Sequence, residues 1–366
     1  MSKQYELKWS AHPNIHNNFS QRDLSFYFSE PDNGVNDDTG ILLLIAGFGA
    51  STDSKVYKKM RDVCSDKHNL VVIQCDYFGE SHMQSKSIEP ITISSEFLNK
   101  QFSKEDIVEI SQAHDKWAKM IEISQNRGIA SIPAKFKPNE SLDDFCEMGL
   151  MQALDNITAL YYVINILKDN DLNFNRNKII VYGHSQGAYL SLLCNSLIPG
   201  VFDLVIDNSG WMFPQYLKGN RVLIAEMNNL EIDVTFDYLV KKLDLDHEIL
   251  NLPYLYKQVD NKAQIITYQG VSDSLVPYEE KKSFVQSLNN SYFHLVTNED
   301  VDGSLFKSTY HGLDADFLNM LDYSLSQFNL INETKDLYQQ NKLITKRASY
   351  EIYYESGIPL LKISTT

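Results

Sequence analysis

Several short stretches of this chain are apolar from end to end. Ile41-Leu42-Leu43-Leu44-Ile45, Leu70-Val71-Val72-Ile73-Gln74-Cys75 and Ile179-Ile180-Val181-Tyr182 are the clearest; Phe202-Asp203-Leu204-Val205-Ile206-Asp207, Ala263-Gln264-Ile265-Ile266-Thr267-Tyr268 and Tyr292-Phe293-His294-Leu295-Val296 are similar. A strand that shows neither face to water has no reason to alternate, so such runs predict strands covered on both sides. Between them the spacing predicts helices over about 53–65, from Ser141 to about 169, after residue 187 and over about 314–328. Strand and helix in alternation predict an α/β fold, a mostly parallel central sheet with helices on both faces. The opening differs. Asp23-Leu24-Ser25-Phe26-Tyr27-Phe28 alternates loosely and Pro31-Asp32-Asn33-Gly34 is a turn, which predicts an antiparallel edge.

The pattern is interrupted twice. Ser103-Lys104-Glu105-Asp106 resembles a capping box with Asp in the place of Glu or Gln. A long helix is predicted from there to Arg127, where Gly128 stops it. Residues 129–140, with Pro133 and Pro138, read as loop, so 83–140 is expected to be a helical lid. A second insertion spans 211–260 and opens on Trp211-Met212-Phe213-Pro214. The core is thus 1–82 with 141–330, and 331–366 is an extension. In that extension Ser349-Tyr350-Glu351-Ile352-Tyr353-Tyr354, Gly357 and Pro359-Leu360-Leu361-Lys362-Ile363 read as a β-hairpin. Its free edge is a possible seat for a second copy in a homo-oligomer. The simpler reading extends the chain's own sheet.

Composition narrows the classes. With 43% hydrophobic and 22% charged residues the chain is that of a globular protein with a full core. A formal net charge of -15 speaks against a nucleic-acid partner. The four cysteines, Cys64, Cys75, Cys146 and Cys194, form no C-x-x-C and suit a reducing compartment. The start, Met1-Ser2-Lys3-Gln4-Tyr5-Glu6, has no apolar run typical of a signal peptide, and no stretch is long enough to span a bilayer. A cytoplasmic protein without membrane insertion is expected.

Candidate chemistry centres on Gly183-His184-Ser185-Gln186-Gly187, directly after an apolar strand and before Ala188-Tyr189-Leu190-Ser191-Leu192-Leu193. Strand, sharp turn and helix make a nucleophile elbow, which lifts a serine hydroxyl to the end of a parallel sheet. A serine hydroxyl is too weak an acid to attack a carbonyl unaided and needs a base, itself oriented by a third group. Two residues later in the chain stand at the matching sheet edge: Asp273, in Gly270-Val271-Ser272-Asp273, and His311, in Tyr310-His311-Gly312. Asp273 can also be read as a turn former. Asp207, at another strand end, is the rival acid, while His294 and His184 are worse placed to reach the serine. The oxyanion donors are expected from the N–H groups of Gln186 and Phe48, with Gly49 as alternative, in the turn Ala46-Gly47-Phe48-Gly49-Ala50. Gly49, Trp211 and His184 are expected to contribute to substrate binding. No metal-ligand spacing, phosphate loop or dinucleotide fingerprint is found, so no cofactor or metal is expected.

These residues resemble the α/β-hydrolase superfamily over roughly 20–80, 141–210 and 262–328. The most specific element is Gly183-His184-Ser185-Gln186-Gly187. Asp76-Tyr77-Phe78-Gly79-Glu80-Ser81 is similar to the family's post-strand segment, with Ser81 where a second glycine would stand. Gly270-x-x-Asp273-x-x-Val276-Pro277 matches the spacing around the acidic residue in many members. In its Asn, Lys, Ile and Tyr content the whole chain also resembles a bacterial hydrolase-like family linked with flagellin sugar modification, which implies an acylated sugar as substrate. The resulting expectation is a serine hydrolase that cleaves an acyl ester through Ser185, His311 and Asp273, with the insertions walling the pocket. Acyl transfer to a sugar, peptidase or amidase action, and a non-catalytic binding scaffold are the alternatives.

Overall fold

The computed structural model of the chain describes residues 2–83, 91–227 and 230–365. The first part of the chain gives β1 (Lys3–Ser10), β2 (Asp23–Glu30), β3 (Gly40–Ile45), α1 (Lys55–His68), β4 (Leu70–Cys75) and α2 (Glu80–Met83). Then come β5 (Ile91–Ile93), α3 (Ser95–Gln101), α4 (Lys104–Gln112), α5 (Lys116–Asn126) and β6 (Ser131–Phe136). The centre holds α6 (Leu150–Asp169), β7 (Ile179–His184), α7 (Gln186–Leu197), β8 (Leu204–Asn208), α8 (Gln215–Lys218), β9 (Val222–Met227) and β10 (Leu230–Phe236). The remainder is α9 (Leu252–Leu255), β11 (Gln264–Gly270), α10 (Tyr278–Gln286), β12 (Ser291–Val296), α11 (Phe317–Ser326), β13 (Asn341–Ile344), β14 (Ala348–Glu355) and β15 (Ile358–Thr365).

The chain divides into two compact units. The larger comprises Met1–Gln84, Leu142–Gln215 and Asp244–Thr366. Its sheet runs β1-β2-β4-β3-β7-β8-β11-β12. The β1–β2 and β2–β4 pairs are antiparallel and the rest are parallel, so the opening segment forms the antiparallel edge that its alternation predicts. β3, β4 and β8 are buried at every position, as apolar runs without alternation require. One face packs Leu42, Leu44, Val72, Ile180, Tyr182 and Ile206 with residues of α1 and α11. The other is covered by α6 and α7, buried over most of their length. Each such fully buried Leu or Ile contributes about 1.5–3 kcal/mol.

The helix expected from Ser141 starts nine residues later, at Leu150. Its N-terminal cap is not a serine but the buried Glu147, whose carboxylate accepts the N–H groups of Gly149, Leu150 and Met151 at 2.9–3.1 Å. A carboxylate at this end also meets the positive pole of the helix dipole. The expected C-terminal hairpin is β14 and β15, and β13 makes it a three-stranded sheet. Asn165 Nδ2 donates to Gly357 O at 3.2 Å in its turn, and Leu361 N donates to His12 Nε2 at 2.9 Å.

The smaller unit comprises Ser85–Ser141 and Tyr216–Leu243. It is not an all-helical insertion: α3, α4 and α5 pack with a four-stranded sheet ordered β5-β6-β10-β9. The single helix expected over 103–127 is two helices. The Ser103–Asp106 capping box starts α4 as expected, but Asp115 accepts Ala118 N at 2.9 Å and caps a second helix, α5. Residues 131–136, expected as loop, form β6 despite Pro133. The bonds to β10 use even-numbered residues, since Glu231 N donates to Ala130 O and Asp237 N to Phe136 O. The Pro133 nitrogen therefore faces the other side, beyond the end of β5, whose pairing stops at Ala134. The second insertion is also narrower than 211–260. Residues 244–260 belong to the larger unit, where Tyr189 OH donates to Leu250 O at 2.9 Å and Tyr256 OH to Leu192 O at 3.0 Å.

Candidate active site

Ser185 sits between β7 and α7 with φ +55 and ψ -118. Such a backbone is costly for a residue with a side chain and persists only where the surroundings impose it. Here they do. A Cβ on Gly183 would lie 2.1 Å from Gly187 O, and one on Gly187 would lie 2.2 Å from Ile45 O. Ser185 N donates to Asn208 O at 2.8 Å, which ties the elbow to the end of β8.

The structure brings three of the predicted residues into one line. His311 Nε2 lies 2.8 Å from Ser185 Oγ, and His311 Nδ1 lies 2.8 Å from Asp273 Oδ2. The Asp273 side chain is fully buried and that of His311 is one quarter exposed. Two loops after parallel strands supply them and are laced together. Ser272 N donates to Thr309 O at 3.0 Å, and a Cβ on Gly270 would lie 2.1 Å from that oxygen.

The second Asp273 oxygen accepts the N–H groups of Leu275 and Val276 at 2.8 and 3.0 Å. Burial pushes the Asp273 carboxyl up; the hydrogen bond and charge of His311, with those two N–H groups, outweigh it and hold the carboxyl below the usual range. Gln269, which the sequence reading missed, adds a fourth donor: its buried Nε2 lies 2.6 Å from Asp273 Oδ2. Nothing in its strand-end position distinguishes it from a polar residue facing solvent, so no pattern would have found it.

His184 stands beside this line. Its ring centroid is 6.2 Å from that of His311, and a Cβ on Gly312 would lie 2.5 Å from its Nε2. Burial lowers its pKa to about 4, with the charge of His311 acting in the same direction, so the ring is neutral at pH 7. The rival acid Asp207 is elsewhere engaged. Its Oδ2 lies 2.7 Å from Lys281 Nζ, and both side chains are fully buried.

Gln186 opens α7, where the first N–H groups of a helix have no acceptor within it. Its side-chain amide is fixed by Gln152 Oε1 at 2.5 Å. Phe48 occupies the second position of a turn closed by Ala50 N to Gly47 O at 3.1 Å, and Gly49 follows with φ +84, as a type II turn demands. This turn adjoins the elbow, since a Cβ on Gly47 would lie 2.6 Å from His184 O. Trp211 is fully buried, its ring centroid 6.5 Å from Phe48 and 6.4 Å from Tyr189, so it offers packing and no accessible surface here. Among the described residues, no three His, Cys, Asp or Glu side chains are grouped as metal ligands.

A mostly parallel sheet, helices on both faces and a serine on a strand–turn–helix elbow define the α/β-hydrolase fold. Residues 21–252 match the family described as protein of unknown function (DUF2920), and the chain belongs to it. That match contains the elbow and ends before Asp273 and His311. No curated protein matches the sequence. Among solved structures, an acylaminoacyl peptidase from Pyrococcus horikoshii is 11% identical with a TM-score of 0.50, over 92% of this chain and 43% of the peptidase. Acetyl xylan esterase 1 from Thermoanaerobacterium sp. JW/SL YS485 is 13% identical over 89% of this chain and 84% of its own, TM-score 0.47. Est1E from Butyrivibrio proteoclasticus, with ferulic acid bound, is 13% identical over 84% and 94%, TM-score 0.44. The likeness to the peptidase is one of fold. Among the described residues no helix is long and apolar enough to cross a membrane.

Proposed function

We propose that this protein is a serine hydrolase that cleaves an acyl ester through a covalent acyl-enzyme. One observation carries the reading: the unbroken line from Ser185 Oγ through His311 to Asp273, with both contacts at 2.8 Å. In the first step Ser185 Oγ bonds to the ester carbonyl carbon while its proton passes to His311 Nε2. The tetrahedral oxyanion is held by the N–H groups of Gln186 and Phe48. Collapse breaks the bond to the alcohol oxygen, which leaves with the proton from His311. Water then attacks the acyl-enzyme by the same route and releases the acid. Asp273, ionised well into the acid range, keeps the His311 proton on Nδ1 and steadies the imidazolium.

The substrate class we put forward is an acylated carbohydrate, on the family resemblance of the chain. The test is turnover of p-nitrophenyl acetate, O-acetylated sugars and acyl-amino p-nitroanilides by the wild type and by Ser185→Ala. The reading expects ester kcat/KM at least about 10³-fold above that of Ser185→Ala. Equal rates in the two proteins would overturn it. Turnover of the anilides alone would replace the esterase by an amidase, and product that depends on an added sugar acceptor would replace hydrolysis by acyl transfer.

A further inference from the structure

The end of β8 carries more hydrogen bonds than a strand end needs. Asp207 Oδ1 accepts Gly210 N at 2.8 Å, and its Oδ2 accepts Thr267 Oγ1 at 2.9 Å and Lys281 Nζ at 2.7 Å. Lys281 Nζ in turn donates to Gly210 O at 2.8 Å. Both polar groups of Gly210 are thereby clamped by one fully buried ion pair. A side chain at that position is excluded, since a Cβ would lie 2.5 Å from Asp207 Oδ1 and 2.8 Å from Ala188 Cβ. A buried ion pair is weak evidence for stability, because desolvation consumes most of its Coulombic gain. Its use here is to fix a turn.

Ser209 lies inside that turn with φ +56, a conformation in which Gly or Asn is at ease and Ser is not. Ser209 N donates to Tyr268 O at 3.0 Å, which pins it to β11. Its Oγ donates to Asn208 Oδ1 at 3.1 Å and accepts Gly312 N at 3.1 Å. Asn208 Nδ2 reaches Gly312 O at 3.5 Å, while Asn208 O accepts Ser185 N at 2.8 Å. Two adjacent residues thus hold the backbone of Ser185 on one side and the residue after His311 on the other.

We infer that Ser209, anchored by Asp207 and Lys281, is a positioning residue that sets His311 against Ser185. This rests on the serine-hydrolase reading of the same site. Glycine is the informative substitution, because it keeps the positive φ without strain and removes only the hydroxyl. Ser209→Gly is therefore expected to hold its Tm while the rate constant of fluorophosphonate labelling falls about 10-fold at unchanged probe affinity. In ¹⁵N-histidine-labelled protein the downfield Nδ1–H resonance of His311 is expected to broaden or shift, as its hold on Asp273 loosens. A wild-type labelling rate, or an unchanged Nδ1–H resonance, in Ser209→Gly would overturn the assignment. If the wild type itself is not labelled, the hydrolase reading fails, and the resonance alone decides the role of Ser209. Asp207→Asn with Lys281→Met, which removes the anchor without stranding a charge, is expected to reproduce the resonance change; an unchanged signal there would overturn the anchoring role.

Discussion

In the larger unit Leu43 of β3 and both its strand neighbours, Leu42 and Leu44, are buried, because helices cover the sheet on each side. In the smaller unit Val234 of β10 is buried, but Asp233 and Thr235 beside it are partly exposed. The first kind of strand holds a residue in place from two directions; the second holds it from one. Ser185 and Asp273 hang from strand ends of the first kind, β7 and β11, whereas His311 comes from the long loop after the part-exposed edge strand β12. A serine forced to positive φ needs such backing, since the elbow is shut in by Ile45 O on one side and by its own Gly187 on the other.

The largest effect that would sharpen this comparison is chemical. His311→Ala is expected to lower ester kcat/KM by at least about 10³-fold while Tm falls only slightly, because Gln269, Leu275 and Val276 still donate to the buried Asp273 carboxylate. A matching loss of Tm would make the residue structural. Packing comes next. Leu43→Ala is expected to cost about 3–5 kcal/mol and Ile132→Ala, in the smaller unit, about 2–4 kcal/mol. Calorimetry is expected to assign the two losses to different transitions, since the two residues belong to separate units; one shared transition that moves equally for both would erase the distinction.

A last effect, comparable to a single packing loss, is set by pH. His12 is buried in the larger unit, with Nδ1 2.8 Å from Pro13 O and Nε2 accepting Leu361 N. Burial lowers its pKa to about 4. The unfolded chain, titrating near the ordinary histidine value, binds this proton first. His12 stability is therefore complete above about pH 6.5 and is lost as pH falls towards 4, about 3 kcal/mol in all. Tm measured from pH 7 to 4.5 is expected to decline, and less so in His12→Gln. Identical profiles for the two proteins would remove His12 from the account.

The same contrast governs what could be read from residues alone. Strands covered on both faces announce themselves as apolar runs, and the serine and the acid follow in chain order at their ends; the run Tyr292–Val296 proves instead a part-exposed edge strand, and the histidine follows on the loop after it. The smaller unit was harder. Leu230-Glu231-Ile232-Asp233-Val234-Thr235-Phe236 alternates in the manner of a half-buried strand, yet it stands inside an apparent insertion, away from the apolar runs that mark the main sheet. In β6 the alternation of Ile132 and Ala134 was hidden by Pro133, which is tolerated only because its nitrogen faces past the end of β5. Gln269, Ser209 and Lys281 were illegible for a different reason. Each is a polar residue whose meaning lies in a long-range partner, such as Lys281 reaching Asp207. The capping Glu147 belongs with them, acting on a helix that begins three residues later.

The central claim is that Ser185 is an activated nucleophile. Intact-mass analysis of purified protein after exposure to a fluorophosphonate tests it most directly, with Ser185→Ala as control. The account predicts one adduct per chain, formed fully in the wild type and absent from Ser185→Ala. A folded wild type that takes up no probe, or an adduct that persists in Ser185→Ala, would contradict it.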